Sequence, residues 1–117
     1  MAARHRALAG ALACAVAMSF IGAAQAADMD GQALFKDNCK SCHDKGSPDG
    51  EYTPMTLIQD QWTRFFDRKF ERTHKDIMDA ASGNRPVTET ISPEELEAIK
   101  KFAVEHAADS ENPMTCG

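Results

Sequence analysis

The sequence predicts an all-α fold of about three or four short helices. Three observations predict it. Apolar residues recur at three- and four-residue steps, with no convincing alternating strand pattern and no internal repeat. One helix start is written out in full by Ser92, Pro93 and Glu95. Finally, Cys39-Lys40-Ser41-Cys42-His43 gathers two thiols and an imidazole into five residues. In a chain of 117 residues, such a cluster suits a small domain stapled by something other than its own core.

The elements follow in order. Residues 1–26 read as a secretory signal peptide: Arg4, His5 and Arg6 form a basic start, Leu8 through Ile21 an apolar stretch, and Ala24-Gln25-Ala26 a small-x-small cleavage site. Mature protein is then expected to begin at Ala27 and to be exported to the periplasm. The apolar stretch is short for a membrane span and is soon followed by Asp28 and Asp30. Cys14 sits inside it, but Ala11-Leu12-Ala13 is a poor lipoprotein context. A domain is expected over 27–108, followed by a polar tail over 109–117.

Within that domain, Asp28 or Asp30 caps a first helix that runs through Ala33, Leu34 and Phe35 toward Cys39. Gly46, Pro48, Gly50 and Pro54 mark a loop. A longer helix is expected from about Ile58 to Ala81, with Trp62, Phe66, Phe70, Thr73 and Ile77 on one buried face. Ser82-Gly83-Asn84-Arg85-Pro86 ends it. The last helix starts at the Ser92 cap and carries a stripe of Leu96, Ile99, Phe102 and Ala103.

Two cysteines three apart are shared by several chemistries. A thioredoxin-like redox pair wants a βαβ setting, and a zinc site wants a second ligand pair at matching spacing. Neither is visible here. A histidine directly after the second cysteine, in an exported chain, points to covalent haem: each thiol adds across one vinyl group, and the imidazole becomes the proximal iron ligand. Cys39 and Cys42 are therefore the expected thioether residues and His43 the expected axial ligand of a single haem c. Such a plate would also supply the staple, and the haem-free chain is expected to fold poorly.

Over nearly all of its mature length the chain resembles the small class I, monohaem c-type cytochromes. The residues that carry the resemblance are Gly31-Gln32-Ala33-Leu34-Phe35 leading into Asn38 and the C-x-x-C-H pentad, Pro54 in the following loop, and Ser92-Pro93-Glu94-Glu95-Leu96 with Phe102. The resemblance implies a cytochrome c-like fold wrapped around one covalently bound haem. It implies that the first and last helices cross at Gly31 with Phe35 near Phe102, and that the Pro54 carbonyl receives the proximal histidine's N–H.

The distal side departs from the family pattern. Where many relatives have a methionine–proline pair before the last helix, this chain has Arg85-Pro86, and arginine stays protonated and cannot ligate iron. Met78 is the first distal candidate, since its soft sulfur would raise the potential; as a bland reading it only fills the core. His74, one turn from Phe70 and Met78, is the alternative and would give bis-histidine haem. Met114 and an open site complete the set. Trp62, Arg64 and Arg85 are candidates for contacts to haem propionates, with core packing and surface exposure as the plain alternatives. Met55 is expected to pack on the proximal side, and His106 to lie at the surface near the end of the last helix.

Residues 1–26 carry Arg4 and Arg6 and no acids, so their removal takes the formal charge from −5 to −7. That balance argues against nucleic acid or anionic lipid as a main partner and suits docking on a basic patch of a redox partner. Cys116 has no expected intramolecular partner, which leaves an intermolecular disulfide or a free thiol on the tail. The expected function is one-electron transfer between redox proteins, without chemical transformation of a substrate. The competing expectation is a haem protein whose open distal side binds a small gas or peroxide. A third is a subunit docked to a larger oxidoreductase.

Overall fold

The Asp30 carboxylate starts the first helix by accepting the backbone N–H groups of Gln32 and Ala33, both at 3.1 Å. The computed structural model describes residues 28–115, so the expected signal peptide, Cys14 and Cys116 lie outside the described residues. From the cap, α1 (Gly31–Leu34) passes through one π-helical turn over Phe35–Cys39 into α2 (Lys40–His43). In the wide turn the Lys40 N–H reaches back to the Phe35 carbonyl. The Leu34 carbonyl accepts instead from the Asn38 side-chain amide at 2.9 Å.

A loop then leads through a 3₁₀ turn at Pro54–Thr56 to α3 (Gln59–Arg68). After a break at Lys69 comes α4 (Phe70–His74). The two-residue strands β1 (Met78–Asp79) and β2 (Arg85–Pro86) pair antiparallel, with Met78 opposite Pro86. Next are α5 (Val87–Thr90) and α6 (Pro93–Glu105).

The expected helix from Ile58 to Ala81 therefore stops at His74, and a small hairpin replaces its last turns. Two local causes are visible. The last ladder bond runs from the Lys75 N–H to the Glu71 carbonyl, and the Ile77 N–H then closes a tighter turn on the His74 carbonyl at 3.0 Å. Downstream, the Asp79 carboxylate accepts the Ala81 N–H at 3.0 Å and the Ser82 hydroxyl at 2.5 Å, which curls the chain into a turn. Gly83 and Asn84 complete it at φ 76° and 58°, a left-handed pair that glycine and asparagine tolerate. Thr73 and Ile77 are consequently exposed rather than on the buried face.

The core is aromatic and lies where α1, α3 and α6 meet. Phe35, Trp62, Phe70, Ile91, Ile99, Phe102 and Ala103 are buried, and Leu96 packs against them. As expected, α6 opens with reciprocal caps: Ser92 Oγ accepts the Glu95 N–H at 3.2 Å and the Glu95 carboxylate accepts the Ser92 N–H at 2.8 Å. The expected crossing of the first and last helices is also present, with the Phe35 and Phe102 rings 5.6 Å apart.

The segment after α6 is tied back to the body. The Ala108 N–H bonds the Leu57 carbonyl at 3.1 Å, and the Asp109 carboxylate caps α3 by accepting the Gln59 N–H at 2.8 Å. Met114 packs on the core, with its sulfur accepting from the Gln32 amide at 3.6 Å.

Candidate functional site

Cys39 and Cys42 stand one helical turn apart, so their side chains share a face of the segment that ends in His43. Their surroundings differ. Cys42 is exposed, whereas Cys39 is half-buried and packs against the core. Burial, and then the neighbouring Cys42, push the Cys39 thiol up to about 12, so it stays protonated. Both thiols are free. Among the described residues no three of His, Cys, Asp and Glu come together as a metal-binding group, and the only strands are the two-residue pair. The zinc and thioredoxin-like readings of the pentad find no support in these residues.

The loop after α2 folds back over His43. The Tyr52 N–H bonds the His43 carbonyl at 3.1 Å, and the Ser47 hydroxyl bonds the Cys42 carbonyl. Gly50 brings its own carbonyl to 3.1 Å from His43 Nδ1. A carbonyl only accepts, so Nδ1 carries the proton and Nε2 keeps a free lone pair. This is the tautomer a coordinating histidine uses, with the far nitrogen held in place. The Tyr52 ring meets His43 edge-on at 4.7 Å.

Pro54 was the residue expected to hold His43. Its carbonyl accepts from Trp62 Nε1 instead, at 2.7 Å. Gly50, four residues earlier and at φ 91°, takes that role because a left-handed turn points its carbonyl back at the helix end. A glycine seven residues after the histidine, in a Gly/Pro-rich loop, was the one sequence signal for it, and Tyr52 had none. Trp62 is buried with its N–H satisfied, so it is a core aromatic. Arg64 pairs with Asp60 at 2.8 Å, and Arg85 donates to the Glu89 carbonyl at 3.0 Å.

Of the two distal candidates, His74 lies beside the pentad. Its ring centroid lies 6.2 Å from that of His43, with the ring planes at 80°. Met78 sits on β1 with 51% of its surface exposed and is not among the side chains packed on the core. Met55 is exposed as well. His106 closes the C-terminal end of α6, where its Nδ1–H donates to the Asn112 carbonyl at 2.7 Å.

Residues 26–102 match the family model of cytochrome c oxidase, cbb3-type, subunit III. The chain belongs to this family of c-type cytochromes. Its mostly helical architecture fits the cytochrome c-like fold, and its cofactor is covalently attached haem c. No curated protein and no solved structure matches the chain. The residues present suit that cofactor: two free thiols on one helical face, and beside them an imidazole whose Nδ1 is already committed to a backbone carbonyl. No described helix is long and apolar enough to cross a membrane.

Proposed function

We propose that this cytochrome is an exported single-haem electron carrier, in which Cys39 and Cys42 hold the haem through thioethers and His43 is the proximal ligand. The observation that carries this reading is the commitment of His43 Nδ1 to the Gly50 carbonyl, which leaves Nε2 free beside the two thiols. When bound, the haem supplies a one-electron ferric–ferrous couple. The protein's own contributions are positional. Gly50 fixes the imidazole and its proton, and partial burial of Cys39 sets one side of the attachment inward. Exposure of Cys42 leaves the other side near the surface, where a partner can approach.

Export rests on the basic start, apolar stretch and Ala24-Gln25-Ala26 of the first 26 residues. The acidic balance of the remainder suits a basic docking patch on the partner. The matched family bears the name of an oxidase subunit. A carrier and a docked subunit would perform the same one-electron chemistry, and co-purification from native membranes separates them.

The test is expression of the full chain with a periplasmic haem-attachment system. Intact mass is expected to show a product beginning at Ala27 and carrying one haem, and the haem stain is expected to survive denaturing electrophoresis. Replacing both Cys39 and Cys42 by serine abolishes that stain. Covalent haem that persists in the double variant overturns the assignment.

A further inference from the structure

We propose that His74 is the sixth, distal ligand of the iron, which makes this a bis-histidine cytochrome with a closed distal side. The proposal rests on the placement of haem at Cys39, Cys42 and His43 argued above.

Three independent features of His74 point the same way. The first is its tautomer. His74 Nδ1 lies 2.9 Å from both the Phe70 carbonyl and the Thr73 hydroxyl. The carbonyl only accepts and the Thr73 O–H donates to the Lys69 carbonyl at 2.9 Å, so Nδ1 carries the proton and Nε2 keeps its lone pair. His43 has the same arrangement against the Gly50 carbonyl. Two histidines, each with Nδ1 tied to a backbone carbonyl and Nε2 free, form a matched pair of metal ligands.

Spacing is the second feature. Two metal–imidazole bonds of about 2 Å, with about 1 Å from each nitrogen to its ring centre, put the centres roughly 6 Å apart. The observed centroid separation is 6.2 Å.

Third, the ring is held rigidly. His74 stacks on Phe70 at 22° and meets Phe65 edge-on at 6.2 Å. Its position one turn after Phe70 and at the end of α4 places it beside the aromatic core instead of on the exposed hairpin. Met78, four residues on, is on that hairpin and half exposed. Coordination itself asks little of the protein: Nε2 donates its lone pair to the iron, Nδ1 keeps its proton and no electron changes hands.

The experiment uses the full chain, matured with haem. A haem assay on denatured protein first establishes covalent attachment, so failure of the haem placement registers separately from failure of the distal assignment. The wild-type ferric protein is expected to be low-spin by electron spin resonance, to lack the long-wavelength charge-transfer band of a thioether ligand, and in the ferrous state to bind no carbon monoxide. His74→Ala is expected to become high-spin and to bind carbon monoxide fully, with added imidazole restoring the low-spin spectrum. Met78→Leu is expected to change none of these. A thioether band in the wild type, a high-spin wild type, or a low-spin His74→Ala protein without added imidazole would each overturn the proposal. The wild-type spectra can overturn the proposal even if the alanine variant does not fold.

Discussion

Gly31 packs directly against Phe102: a β-carbon on the glycine would lie 2.8 Å from the Phe102 Cβ and would also collide with the Ala98 carbonyl oxygen. The first and last helices thus cross with no side chain between them on the α1 side. The same crossing seats Phe35 against Phe102 and Trp62, at 5.6 and 6.4 Å between ring centroids.

Gly31→Ala tests this crossing. Alanine improves helix propensity by about 1 kcal/mol, whereas overpacking costs about 1–3 kcal/mol. One of the atoms struck is a backbone carbonyl that cannot swing aside, so the net effect is expected to be destabilising by about 1–2 kcal/mol. Urea unfolding of the haem-loaded protein measures it. A rise in stability would mean that the helices have room to spare.

Asp109 is expected to matter although it is exposed and lies beyond the last helix. Ile58 precedes α3 and has no side-chain oxygen to cap it, so the Gln59 N–H depends on the Asp109 carboxylate. Asp109→Ala should cost about 1 kcal/mol. Glu111→Ala, in the same segment without such a contact, should stay within about 0.5 kcal/mol. Equal losses in the two variants would remove the cap from the account of α3.

Trp62→Phe keeps the aromatic bulk but leaves the Pro54 carbonyl without its 2.7 Å partner in a buried position. A loss of about 1–2 kcal/mol is expected, with the haem absorption spectrum and reduction potential unchanged. A shift in potential at constant stability would instead place the indole N–H at the haem.

The hairpin carries a pH dependence of known sign. The Ser82 hydroxyl, with the backbone N–H groups of Ala81 and Ser82 and nearby Arg85, holds the Asp79 carboxyl below its ordinary value of 3.8. Its contribution to the turn is therefore complete above that value and is lost as the pH falls through the lowered one. Titration of the Ala81 and Ser82 amide signals should show a midpoint below 3.8. A midpoint at or above it would mean that the turn is not built on the carboxylate.

Much of the fold was legible from local chemistry. Asp30 and Ser92 cap their helices as their residue types dictate, because a cap is a bond between residues two or three apart. The Gly31 crossing was legible only through family resemblance, since nothing in α1 names its partner. The helix overrun past His74 has a different cause. Phe70, Thr73 and Ile77 keep helical spacing, but the Ile77 N–H closes a turn on the His74 carbonyl, and the Asp79 side chain builds a competing turn downstream. Periodicity does not register such competition between backbone and side chain.

By itself the sequence determined the cofactor chemistry and most of the helix starts, because both are written in residues adjacent along the chain. Cys39, Cys42 and His43 need only one helical turn to stand together. What only the tertiary structure decided was which distant groups reach that pentad. Gly50 replaces Pro54 as the acceptor for His43, and His74 comes within 6.2 Å of it while Met78 turns outward on the hairpin. Those outcomes depend on where α4 breaks and how the loop after α2 closes. Both are settled by competing hydrogen bonds and aromatic packing across the fold, and neither leaves a pattern in consecutive residues.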